Sequence, residues 1–178
     1  MDSAITAAVV AVPTAVLAAV AAFAGAWAQA KSAYRGPVDA VRRQHQRDAY
    51  AAFLAALHAY YAATEWYTCQ EQASGELEPG SATAARIEDR TCMVISRVSV
   101  TDVMRTGAVV DLEGPEHIAA AATIAVGSAR QIMLKARWLI RPEDVSHRVV
   151  VVGARDQLAA AISVFVQAAR AHLNDFDG

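Results

Sequence analysis

From Ser3 to Ala30 the chain runs 28 residues without a charge, and Lys31 then opens a basic segment. A stretch this long and this apolar has few fates: it is cleaved, buried in protein, or placed in lipid. As a helix rising about 1.5 Å per residue it spans roughly 42 Å, more than the ~30 Å hydrocarbon core requires. Ala supplies 13 of those 28 positions, so length argues for a membrane span more strongly than hydrophobicity does. Pro13 is compatible with a membrane helix whose neighbours satisfy the freed carbonyl.

A secretory signal is the main rival, since Ala28-Gln29-Ala30 and Ala24-Gly25-Ala26 both fit small-x-small cleavage sites. The start MDSAIT, however, offers Asp2 where a signal peptide carries Lys or Arg, and the apolar run exceeds a typical signal core. A single transmembrane helix over 1–30 is therefore the expectation. Lys31, Arg35, Arg42, Arg43 and Arg47 follow it, opposed only by Asp39. The positive-inside rule then keeps the C-terminal part cytoplasmic, at the cell membrane. Trp27 and Tyr34 share one helix face. With Lys31, Arg35, Arg42 and Arg43 they form the expected membrane interface, where each cation near anionic lipid headgroups is worth about 1 kcal/mol. Ala18, Ala22, Ala26 and Ala30 recur at four-residue spacing, a ridge that would admit a second membrane helix in a homo-oligomer.

The remaining 148 residues hold all 16 Lys and Arg and 17 of the 18 acids, a net charge of −1. That balance gives no electrostatic footprint for nucleic acid. Abundant Ala with few Gly and Pro points to helices. Helical periodicity runs from Pro37 to about Ala73, through Val41, Tyr50, Phe53, Leu57 and Tyr60. It resumes over 82–108, although the β-branched MVISRVSV could equally be extended, and again over 115–140 and 154–174. Ser74–Ser81 and Asp111–His117 are turns by composition. The predicted architecture is all-α: the transmembrane helix, a basic stalk over 31–47, and an up-down-up-down four-helix bundle over 48–178. The surplus length of its first helix is assigned to the stalk. Acids at 65, 71, 76 and 78 are expected to meet Arg130, Lys135, Arg137 and Arg141 at the far tip, setting register more than stability.

Chemistry is sparse. His147–Ile162 resembles the strand-turn-helix opening of a dinucleotide site but has only Gly153 where that fingerprint needs three glycines. Val149–Val152 is accordingly read as a buried connection or short strand. The five histidines fall in no HExxH or Glu-x-x-His arrangement, and no cofactor or metal is expected. Asp111, Glu113, Glu116 and His117 read as a solvated turn with Glu116 on the helix dipole. Ser128 lacks the glycines of a nucleophile elbow. Cys69 and Cys92 are expected as free thiols.

Six aromatics crowd into residues 50–67. Of these, Tyr60, Tyr61, Trp66 and Tyr67 are the candidate ligand or partner surface, although core packing competes for the same side chains. The functional expectation is a non-enzymatic protein-interaction or assembly role for a membrane-anchored bundle. A small-ligand sensor using the Tyr/Trp-rich helix is the alternative.

Overall fold

A computed structural model describes residues 40–78, 80, 83–137 and 146–174. The uncharged run, with Trp27, Lys31, Tyr34 and Arg35, lies outside the described residues. Contacts divide the chain into two compact units, Met1–Gln44 and His45–Gly178. Of the first, residues 40–44 are described and helical, with Arg42 exposed and Arg43 half-buried.

All regular structure among the described residues is helical. The elements are α1 (40–63), α2 (Trp66–Gly75), α3 (Ala84–Arg97), α4 (Thr101–Glu113), α5 (Glu116–Arg137) and α6 (His147–Asn174). Six helices among these residues thus replace the four expected, because two long ones are divided. The first divides at Thr64, whose hydroxyl donates to the Tyr60 carbonyl (2.9 Å) and lies 3.3 Å from that of Tyr61. Glu65 then turns extended (φ −64°, ψ 128°), and its carboxylate accepts from the Thr68 amide at 2.6 Å to cap α2. With that break the single long helix behind the protruding-stalk argument disappears.

The second division falls at Val98–Val100, where Val98 is extended and Ser99 Oγ accepts from the Thr101 amide. The β-branched run is therefore helix, break, helix. α5 starts where expected, with the Ile118 and Ala119 amides closing on the Pro115 carbonyl. α6 begins seven residues earlier than its periodicity suggested. Val149–Val152 is helical, neither strand nor irregular connection: Val151 is fully buried while Val149 is 65% exposed, a split that follows helical period.

Among α2 to α6 the most extensive pairing is α5 with α6, followed by α2 with α3, α4 with α5 and α3 with α5. Buried Ala121, Ala125, Ala129, Ala154, Ala161 and Ala169 leave no bulk between α5 and α6. Phe165 fills the centre, with the rings of Phe53 and Tyr50 edge-on at 5.0 and 5.9 Å. α4 meets this centre at Gly107. A Cβ there would stand 2.7 Å from Val126 Cγ2 and 3.2 Å from Phe53 Cε2. Gly107→Ala is therefore expected to cost about 1–3 kcal/mol by overpacking, against the gain a helical Gly→Ala change normally brings, measured by urea denaturation.

By length and composition α6 could itself cross a membrane (28 residues, mean hydropathy 1.7). It is the one such helix among the described residues. One side of it is spent on protein, where Val151, Leu158, Ile162 and Phe165 are core and Arg155 is ion-paired, while Val149 and Val164 are exposed. Of the charges expected to meet at a distal tip, Arg141 lies outside the described residues. α2 packs on α3 and α6, and among the described residues Glu71, Arg130, Lys135 and Arg137 form no ion pair. Glu76 pairs instead with Arg90.

Candidate functional site

The α1–α2 break brings the four aromatic candidates to one region but gives them different duties. Tyr60 is buried and its hydroxyl donates to the Ala129 carbonyl of α5 at 3.1 Å. Burial raises its pKa to about 12. The protonated phenol is thus favoured in the folded state: its contribution is complete below the ordinary value near 10 and is lost as pH rises towards 12. Denaturation between pH 9 and 12 should show a stability decline of which Tyr60 supplies up to about 2–3 kcal/mol, so that Tyr60→Phe declines less and keeps the share due to the raised Tyr50 and Cys69. Trp66 is likewise buried, in the first turn of α2.

Tyr61 and Tyr67 serve as platforms for arginines. The Arg155 guanidinium stands 4.3 Å over the Tyr61 ring and donates to the Tyr61 carbonyl at 3.1 Å. It also lies 3.8 Å from Glu65. That carbonyl is one the break had released, since the Glu65 amide closes on Ala62 instead. Arg155 therefore clasps α6 to the corner between α1 and α2. Tyr67 is 60% exposed; its ring carries Arg148 at 5.0 Å, and its hydroxyl accepts from that guanidinium.

The start of α6 is held from α3. Glu88 Oε1 accepts from Ser146 Oγ (2.6 Å) and from the Arg148 amide (3.1 Å), capping a helix sixty residues away in sequence. His147, 5% exposed, places Nδ1 3.5 Å from Asp89 Oδ1. Neither ring nitrogen has a hydrogen-bond partner. A cleft of about 320 Å³ lies alongside, lined by Trp66, Gln70, Ile87, Glu88, Ser146 and Arg148.

Reactive chemistry finds little here. Burial pushes the Cys69 thiol up, the Glu65 carboxylate adds to that, and Arg155 opposes both, so Cys69 is disfavoured as a thiolate. Both cysteines are free and buried. Among the described residues no group of three or more His, Cys, Asp or Glu is placed to hold a metal ion. Ser128 spends its hydroxyl on the Ile124 carbonyl of its own helix. His117 does have a partner, the ring of His172 in edge contact at 5.7 Å, at the end where α5 begins and α6 finishes.

Sequence reading missed Arg155, Glu88 and His147, and assigned Glu65 partners other than Arg155. Arg155 left one signal: a charge inside the apolar series Val151, Leu158, Ile162 and Phe165 must find partners on another element. Glu88 left none, since a cap supplied by a distant helix has no local pattern. No protein family matches the chain, and neither a curated protein nor a solved structure does.

Proposed function

We propose that the chain is a membrane-anchored, non-enzymatic interaction protein, its helices arranged as a cytoplasmic bundle that serves assembly. In this reading residues 1–30 span the bilayer once. Trp27, Lys31, Tyr34, Arg35, Arg42 and Arg43 lie at the interface, near anionic headgroups. The observation that carries the interaction role is apolar side chains left on outer helix faces: Leu112 is 85% exposed, Ile124 59% and Val164 52%. The aromatics that competed for a binding role are meanwhile engaged with Ala129, Arg155 and Arg148.

Fractionation of the full chain carrying a C-terminal reporter tests the anchor. The expected result is a carbonate-resistant membrane fraction with the reporter on the cytoplasmic side, lost on deleting residues 1–30. A secreted fragment beginning at Lys31 would overturn it. The cleft beside Trp66 supports a second reading as a small-ligand module. Under that reading Arg148→Ala, an exposed cleft residue, abolishes ligand response while leaving the fold intact.

A further inference from the structure

We infer that the outer face of α5 is a homodimer interface, on which two copies pack antiparallel about a two-fold axis at Gly127. The inference rests on reading the helices as an interaction module and names the partner as a second copy of this chain. It starts from a helix whose outward side is uncharged from Ala120 to Gly127 and meets its first cation at the exposed Arg130. Between His117 and Arg130 α5 has no charged residue, and its outward positions Ala120, Thr123, Ile124 and Gly127 are all exposed. The Thr123 hydroxyl is the one polar side-chain group among those four. Surface helices ordinarily turn a charged or strongly polar face to water. Gly127 sharpens the point. The missing Cβ of Gly107 is explained by Val126, whereas a Cβ at Gly127 would meet nothing within 4 Å. A mid-helix glycine is less stable than the alanine this chain uses so freely, and the single copy gives no packing reason for it.

The patch complements itself, as an isologous interface requires. With antiparallel helices crossing at Gly127, Leu134 of one copy faces Ala120 of the other, large against small. In the same register Thr123 faces Gln131, also exposed, so the hydroxyl meets a polar side chain. The half-exposed Leu134 and the more exposed Ile124 then flank the point of closest approach.

Charge selects both the partner and the direction. α5 opens with Glu116, carries Arg130 just past its middle and closes with Lys135 and Arg137, and among the described residues none of these forms an ion pair. An antiparallel crossing at Gly127 brings Arg137 within one residue of Glu116 of the other copy, at both ends of the contact. A parallel pair would set Arg137 against Arg137. In the same register the exposed Arg130 of each copy lies against Ile124 of the other, its stem over the apolar side chain, and the opposite charges at the two ends fix direction and register.

The test uses the full chain in detergent micelles. Sedimentation equilibrium is expected to give a dimer whose dissociation constant rises at least tenfold in Gly127→Leu, with helix content unchanged by circular dichroism. Glu116→Arg and Arg137→Glu should each weaken it about threefold at low salt, and the double variant should restore it. Oxidation of Gly127→Cys should give a disulfide-linked dimer, while Gly153→Cys, equally open on α6, should form no cross-link between copies. A monomer at all concentrations overturns the inference. So does a dimer indifferent to Gly127→Leu, which would place self-association in the N-terminal Ala ridge, or a Gly127→Cys protein whose only cross-link is within one chain. A monomeric chain still held in the membrane fails this inference and leaves the anchor standing. A chain absent from membranes but dimeric through Gly127 does the reverse.

Discussion

Phe165→Ala is expected to lower the stability of the His45–Gly178 unit by about 3–5 kcal/mol, a fall in Tm on the order of 10 °C. The ring is fully buried where α1 and α6 meet, with two aromatic edges against it, so its removal strands Phe53 and Tyr50 as well as its own surface. Collapse into the gap is restricted. Tyr50 approaches the Gly114 backbone, Phe53 is pinned beside Gly107, and the nearby Ala161 and Ala169 are too small to reach inward. Urea denaturation with Phe165→Leu as the volume-sparing companion measures the effect, and the leucine variant should lose less than half as much. A loss below about 1 kcal/mol for alanine would contradict the packing described.

The second large effect belongs to Arg155. Its substitution by Ala removes the stacking on Tyr61, the donor to a released carbonyl and the partner of Glu65, besides leaving a buried space. Because Glu65 keeps about a third of its side chain in solvent, it can rehydrate, and the expected cost is about 2–4 kcal/mol rather than that of a fully sealed pair. Lysine should rescue little, since one ammonium cannot stack flat and donate sideways at once. Hydrogen exchange locates the effect: amides of the α1–α2 corner and the first turn of α2 should lose protection first. Equal loss over the whole unit would show that Arg155 is no local clasp.

Glu65 adds a pH signature to the same corner. Burial raises its carboxyl, but the amides of Thr68 and Tyr67, the Thr68 hydroxyl and Arg155 outweigh that, and the net pKa is lowered. A lowered acid stabilises the fold above its unfolded value and ceases to do so as pH falls through the folded one. Acidification should therefore fray α2 before the remaining helices, an effect worth on the order of 1 kcal/mol or less in so solvated a group.

Much of the helical content was legible because periodicity is local. Ile118, Ala122, Ala125, Ala129, Ile132 and Ala136 recur at helical spacing, Pro115 marks the entry, and α5 forms there. The breaks inside the two long helices were not legible. Thr64-Glu65 has ordinary helical propensity, and the Tyr61 carbonyl that the corner releases finds its partner in Arg155, more than ninety residues on. Val149–Val152 misled for a related reason. Four valines favour a strand, yet Glu88 caps the helix that absorbs them. The aromatic cluster was found by composition, but its allocation to core, clasp and exposed platform depended on which arginines arrived from α6.

What the sequence by itself determined is the class of the molecule: helical throughout the described chain, built on Ala-rich faces, and preceded by a long uncharged run. Composition and period decide those properties within a few turns of chain. Tertiary structure alone decided where helices stop, which tyrosines are buried, and that α5 leaves Ala120, Thr123, Ile124 and Gly127 exposed. Each of these turns on groups distant in sequence, and a buried polar atom or an uncovered methyl is defined only by what else has folded beside it.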